Sequence, residues 1–333
     1  MISLYYPALP ESSGAEAHRR GLLQGFRDCG IRCIARNQLS RFESLRFVFD
    51  ALAGRILYIR MNGHSSNVRW VLRLLHWLRK EYILEVNAPY QEDHSELKFY
   101  ARTVGKACFV VCVSSVLKTY LRPYNQSVLA VSNGGVVAGL KMSRDRVSCP
   151  HVLFIYNARW QWQSAENVVR VASSLAEYDL TLKVVDVANG FKRSGMPSNV
   201  EVVKALSHDE YLSALMDASG FYLEYRPVQD RELGFYGDSL KFRDYWNTRK
   251  PILVSGPKMN WAPNPQTPEL GVFTLENLSV LGESGFDMPF NRQPYTWTDA
   301  CLRILDSSQF KALSTENITI RRVEKDRYQC LSG

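Results

Sequence analysis

Short apolar runs alternate along this chain with longer segments in which apolar residues recur every three or four positions. Met1 to Tyr6 predicts a first strand; the loop Pro7 to Gly14 then leads into a helix carrying Leu22, Leu23 and Phe26, ended by the Cys29-Gly30 turn. Ile31 to Ala35, Arg55 to Ile59, Tyr82 to Val86 and Phe109 to Val113 continue the strand series with helical stretches between them. Val128 to Val131, followed by Ser132-Asn133-Gly134-Gly135, closes this half. Strand and helix in succession imply a parallel sheet with right-handed crossovers. A second half opens with strand His151 to Tyr156, a helix from Ser164 to about Glu177 and strand Thr181 to Val187. At Ser207-His208-Asp209-Glu210 the pattern of a capping box starts another helix: the serine accepts from a free N–H and Glu210 reaches back. Strand Gly220 to Tyr225, helix Ser239 to Asn247 and strand Pro251 to Ser255 complete it. The expected fold is α/β, two doubly wound Rossmann-like domains around a cleft. Residues 1–140 form the first, 141–150 a linker broken at Pro150, 151–310 the second, and 311–333 a tail returning towards the first. In such a pair the ligand lies outside the carboxyl ends of the strands.

One helical segment carries more than a core face. In Val68 to Lys80, Val68, Val71, Leu72, Leu75 and Leu78 turn to one side. Arg69, Arg73, His76 and Lys80 form a basic stripe, and Trp70, Leu74 and Trp77 line the other flank. Aromatic residues beside cations suit a bilayer interface, so residues 68–80 are expected to meet an anionic membrane surface. The charge balance points the same way. Residues 1–140 hold 18 Lys/Arg against 10 Asp/Glu and the remainder 23 against 23, so the net +8 belongs to the first half.

The composition, 46% hydrophobic and 22% charged, is that of a globular protein without low-complexity tracts. No apolar run is long enough to span a bilayer, and no basic segment precedes the first apolar stretch, so neither a spanning helix nor a signal peptide is expected. The seven cysteines, at 29, 33, 108, 112, 149, 301 and 330, are scattered and read as reduced thiols. This places the chain in the cytoplasm, peripheral at the inner face of the membrane. Histidines at 18, 64, 76, 94, 151 and 208 show no metal-ligand spacing, so no metal is expected. The aromatic–basic motifs of RNA readers are absent, and nucleic acid is not an expected partner.

The segment Gly237-Asp238-Ser239-Leu240-Lys241-Phe242-Arg243-Asp244, seven residues before Pro251 from its last member, is a small-residue loop entering a helix. Free N–H groups there would face a diphosphate, Lys241 would add a positive charge, and Asp244 would reach a ribose hydroxyl. This pattern resembles the donor site of GT-B glycosyltransferases, especially the retaining, nucleotide-sugar-dependent ones (group 1, family 4-like). Leu84-Glu85-Val86-Asn87-Ala88-Pro89, with Glu92 after it, is similar to a strand end in the first domain of that family, and Asn87 would stand where relatives place a histidine facing the sugar. Val111 to Leu121 with Val131-Ser132-Asn133-Gly134 resembles the last helix and turn before the linker. Tyr295-Thr296-Trp297 with Ala300 and Ile304 resembles the helix that crosses back to the first domain.

The chain also departs from the family pattern. Ser12-Ser13-Gly14 has one glycine where paired glycines are common, and Ala158-Arg159 keeps an arginine but not the preceding glycine. Gln163 follows in Trp160-Gln161-Trp162-Gln163, Ala165 stands where a lysine grips phosphate, and Tyr236 replaces the first acidic residue. What the resemblance implies is transfer of a sugar from a UDP- or GDP-type donor to a cell-surface polysaccharide or lipid-linked acceptor, without bound metal or other cofactor. Asn87, Arg159 and Lys241 would act at the reacting centre. Gly14, Gln163, Gly237, Asp238, Ser239, Leu240 and Asp244 would hold the donor. A GT-B nucleotide-sugar epimerase and a non-catalytic binding protein of the same fold are the alternatives.

Overall fold

A computed structural model of the chain describes residues 1–7, 14–61, 66–87, 94–135, 150–158, 163–224, 240–255, 268–284 and 289–313. Among these, β1 (Ile2–Tyr6), β2 (Cys33–Asn37), β3 (Ile56–Arg60), β4 (Ile83–Val86), β5 (Phe109–Cys112) and β6 (Val128–Ala130) form one sheet, ordered β2-β1-β3-β4-β5-β6. β7 (His151–Tyr156), β8 (Thr181–Asp186), β9 (Val200–Lys204), β10 (Gly220–Glu224), β11 (Ile252–Ser255) and β12 (Val272–Phe273) form the other, ordered β12-β11-β10-β7-β8-β9. Every pairing is parallel. The architecture is the expected α/β one. Strands β1 and β7 are buried at every residue, which is why they appear as unbroken apolar runs. No such run announces β9 or β12. Both lie at sheet edges, where only one side has a neighbour, and β9 leaves Glu201 and Lys204 exposed.

In the first domain the chain steps from β1 out to β2 and returns past β1 to β3, which puts its crossovers on opposite faces. α1 (Gly14–Asp28) covers one face. α2 (Arg41–Leu52), α3 (Ser66–Trp77), α4 (His94–Lys106) and α5 (Ser115–Leu121) cover the other. Gly30, at φ +77°, ends α1 in the left-handed region that glycine reaches without cost. In α3, Val68, Val71, Leu72 and Leu75 are buried and Leu78 packs beside them. The expected basic stripe is narrower than the sequence suggested. His76 turns its Nε2 to within 2.8 Å of the Tyr82 hydroxyl, and burial, helped by Lys106 and Arg102, lowers its pKa to about 4. Arg69 is half-buried over the Phe99 ring, and Leu74 packs on the core. Trp70 and Trp77 remain exposed. The helix stops at Trp77, before Lys80, because Arg79 takes a left-handed φ of 52°.

In the second domain α6 (Ala165–Ala176) packs on one face, and α7 (His208–Asp217) and α8 (Leu240–Asn247) on the other. Ser164 caps α6 by accepting from the Asn167 N–H at 3.1 Å. Ser207 and Glu210 cap α7 reciprocally, as the capping-box pattern predicts. After α9 (Leu278–Ser284) the chain crosses back. Gly135 and Thr296 share a parallel bridge, and the Asn247 amide binds the Tyr295 backbone at both N–H and carbonyl (2.9 and 3.1 Å). α10 (Trp297–Leu305) and α11 (Ser308–Leu313) then join the core of the first domain through Ala300, Cys301, Ile304, Leu305 and Phe310. The crossing helix thus lies in the segment from Tyr295 to Ile304 that the sequence marked for it.

Close approach of α1 and α10 requires small residues. A Cβ on Gly25 would stand 2.4 Å from the Trp297 carbonyl oxygen and 2.7 Å from Cys301 Sγ. Gly25→Ala is expected to destabilise the protein by about 1–3 kcal/mol, since backbone and not a flexible tip is in the way. Urea denaturation checks this: an unchanged midpoint would mean that the two helices are not packed so closely.

Candidate functional site

The strand order of the second sheet reverses between β7 and β10, and in open α/β sheets such a switch point marks the ligand crevice outside the carboxyl ends of the strands. Three polar side chains stand there, Glu224 and Gln163 buried and Lys241 half-buried. Glu224, the last residue of β10, accepts from the Ser164 N–H at 3.1 and 3.2 Å and from the Asn167 amide at 2.6 Å. A carboxylate thus occupies the positive end of α6. Gln163 uses its Oε1 to accept from the Asn157 N–H (2.8 Å) and its Nε2 to donate to the Ile155 carbonyl (2.9 Å). Lys241, in the first turn of α8, extends back so that its Nζ donates to the same carbonyl at 3.0 Å. Burial there lowers its pKa to about 7.

At the carboxyl end of the first sheet lies a second buried polar group, centred on Glu85 of β4. The Tyr6 hydroxyl donates to Oε2, His18 Nε2 stands 3.0 Å from Oε1, and the Asn87 side chain hydrogen-bonds to the carboxyl. The nearest Arg60 nitrogen is 3.8 Å away, too far for a charge-assisted bond. Burial outweighs the Asn87 bond and raises the Glu85 pKa to about 8, so the acid is mostly protonated at neutral pH. Burial and the charge of Arg60 push His18 the other way, well below its usual value, against a hydrogen bond with Asn133. His18 also meets the Trp297 ring edge-on at 4.7 Å, which ties the cluster to α10. Asn87 Oδ1 is a buried acceptor without a hydrogen-bond partner among the described residues.

No protein-family model and no curated protein sequence matches the chain. Solved structures do. A glycosyltransferase from Rickettsia africae superposes with a TM-score of 0.58 at 12% identity, over 94% of this chain and 95% of the other. HepE of Anabaena, solved in complex with UDP, gives 0.57 at 12% identity, over 94% and 95%. UDP-GlcNAc 2-epimerase from Methanocaldococcus jannaschii gives 0.52 at 11% identity, over 91% and 98%. This chain has the GT-B fold.

On that GT-B frame the expected site residues fall into three groups. Lys241 and Gln163 are both at the crevice of the second sheet, but the amide of Gln163 is committed at both ends to its own loop. These two bonds fix the orientation of the Gln163 side chain at the end of β7. Asp244 accepts from the Tyr211 hydroxyl at 2.8 Å, so its carboxylate faces α7. Asn87 and Gly14 stand at the first sheet, at the end of β4 and the first residue of α1. Leu240 begins α8. Arg159, Gly237, Asp238 and Ser239 lie outside the described residues. Among the described residues no cluster of His, Cys, Asp and Glu could hold a metal ion.

Glu224 and the group around Glu85 were not singled out from the sequence. Their signal was a lone acid inside an apolar run, Phe221-Tyr222-Leu223-Glu224 and Tyr82-Ile83-Leu84-Glu85. An ionisable group buried in a strand needs partners, which only the fold supplies.

Proposed function

We propose that this chain is a glycosyltransferase that moves a sugar from a UDP- or GDP-type donor to a cell-surface polysaccharide or lipid-linked acceptor, with retention at the anomeric carbon. The observation that carries the reading is the half-buried Lys241, whose amine reaches the carboxyl end of β7 from the first turn of α8. Glu224 already neutralises the start of α6, while Lys241 brings a positive charge to the first turn of α8, where a diphosphate would sit. Lys241 would take up a proton as that diphosphate arrives and hold the charge that develops on the leaving group. Arg159 and the Gly237 to Ser239 loop would complete the grip, with Asp244 near the ribose. From the first domain, Gly14 and the Asn87 amide would close over the sugar, Asn87 offering its unpartnered Oδ1 to a sugar hydroxyl. No metal or cofactor enters this scheme.

The likeness to the archaeal epimerase supports a second reading, in which the same donor site serves isomerisation of the nucleotide sugar. Turnover that requires an added acceptor separates the two. The donor itself is tested first by thermal shift with UDP, GDP and their hexose conjugates. A ligand at about 100 times its dissociation constant stabilises by roughly 2.7 kcal/mol, a shift of several degrees. A chain whose melting ignores every nucleoside diphosphate has no donor site of this kind.

A further inference from the structure

The strongest unpartnered feature of the molecule is the outward side of α2 and α3. The two helices lie next to each other on the same face of the first sheet. α2 carries apolar residues on two opposite sides. Phe47, Val48 and Ala51 face the sheet and are buried, while Phe42, Leu45, Phe49 and Leu52 follow one another at spacings of three and four along the opposite side. All four are exposed, Phe49 to 65%, and Leu39 stands just ahead of them. Twelve residues make a stripe about 18 Å long. Trp70 and Trp77, two turns apart on α3, extend it sideways, and Trp77 is 77% exposed. Six large apolar side chains in one outward layer are far more than scattered exposure produces.

The charges in this stretch of sequence are mostly positive. Residues 39–81 contain eight Lys/Arg against three Asp/Glu. Of the acids, Asp50 is buried against Ser3, Arg36 and Arg55, and Glu43 pairs with Arg36 and Arg46. Only Glu81 is exposed and outside these pairs. The Arg46 guanidinium stands over the Phe42 ring, 4.1 Å from the centroid, so a cation is held directly against the apolar stripe. Arg41 and Arg73 are exposed beside the stripe.

We propose that this face docks on an anionic lipid bilayer, with Phe42, Leu45, Phe49, Leu52, Trp70 and Trp77 in the interface and the arginines on the headgroups. An apolar wedge rimmed by cations matches such a surface in both respects. A second copy of the chain does not, because self-association would bring two positively charged faces together. Among the described residues no helix is long and apolar enough to cross a membrane, so contact of this kind lies on the bilayer. The surface seen here extends the 68–80 segment marked by the sequence, with α2 as its larger part. The proposal stands on this face and not on the donor crevice, so its failure would leave the transferase reading in place.

The test uses the full chain and vesicles of phosphatidylcholine with or without phosphatidylglycerol. Wild-type protein is expected to sediment with the mixed vesicles, much less with phosphatidylcholine alone, and to be released in part by salt. Arg41→Ser and Arg73→Ser should each lower the partition coefficient roughly fivefold. Phe42→Ser with Phe49→Ser should lower it at least tenfold and leave the remaining binding almost fully salt-sensitive. Because these side chains point outward, the melting temperature of each variant should stay that of the wild type. Quenching of tryptophan fluorescence by brominated lipid, lost in Trp70→Tyr with Trp77→Tyr, adds a readout independent of sedimentation. Wild-type protein that ignores the mixed vesicles overturns the proposal. So does a protein that forms dimers in solution through Phe49 and binds vesicles equally with or without Phe42 and Phe49.

Discussion

Lys241→Met is expected to weaken binding of a nucleoside diphosphate about tenfold to a hundredfold and to abolish its dependence on pH. A charge-assisted bond contributes about 1.5–3 kcal/mol, and 1.4 kcal/mol is a factor of ten. Methionine keeps the apolar stem and fills the same space. In the free protein burial holds the Lys241 amine at a pKa of about 7, so near neutrality it is only partly charged. A diphosphate beside it favours the ammonium, which means that binding takes up a proton. Wild-type affinity therefore falls as pH rises above about 7, by up to tenfold per unit, until the bound form also loses its proton. The variant lacks this slope. Calorimetry across this pH range, in buffers of different ionisation heat, measures both affinity and proton uptake. The sign for stability is opposite. Between about 7 and the ordinary value of 10.5 the unfolded chain holds a proton that the folded chain has released, so the lysine destabilises most at low pH and the loss fades as pH rises. At neutral pH the variant should thus melt no earlier than wild type. Weak binding in a well-folded variant places Lys241 at the donor; unchanged affinity removes it.

Glu85→Gln should reshape the pH dependence of folding. From the ordinary carboxyl value of 4.5 up to about 8, the folded chain keeps a proton on Glu85 that the unfolded chain has lost. Stability from this group therefore declines as pH rises through that window and reaches its full penalty above 8. The size is on the order of 4 kcal/mol. Glutamine keeps the shape, accepts from Tyr6 and cannot ionise, so the variant should gain on wild type steadily from pH 5 to pH 8. Urea titrations of both proteins at several pH values give the difference directly, and subtraction removes the contributions of all other groups. Parallel curves would mean that the carboxyl is ionised in the folded protein and that Arg60 approaches it more closely than 3.8 Å. The same measurement bears on the site, because Asn87 is hydrogen-bonded to this carboxyl and its orientation depends on the proton.

Much of the architecture is local in origin and could be read from the chain. β1, β4, β5, β7 and β10 are buried at every residue, so most of their residues are apolar, and the serines before α6 and α7 are the acceptors that free N–H groups demand. The helix expected from Ser239 to Asn247 is likewise present as α8, from Leu240 to Asn247. Tertiary structure decided what depends on distant partners. Glu85 meets His18 across 67 positions of sequence, and Glu224 meets the start of α6 across about 60, so the environment that sets their protonation cannot be inferred from neighbours along the chain. The partners of Gln163 and Asp244, the backbone of Ile155 and Asn157 and the Tyr211 hydroxyl, likewise come only from the fold. The outward stripe of α2 shows the limit most plainly. Phe47 and Phe49 are equally apolar, and only the placement of the sheet beneath one of them determines which is core and which is surface.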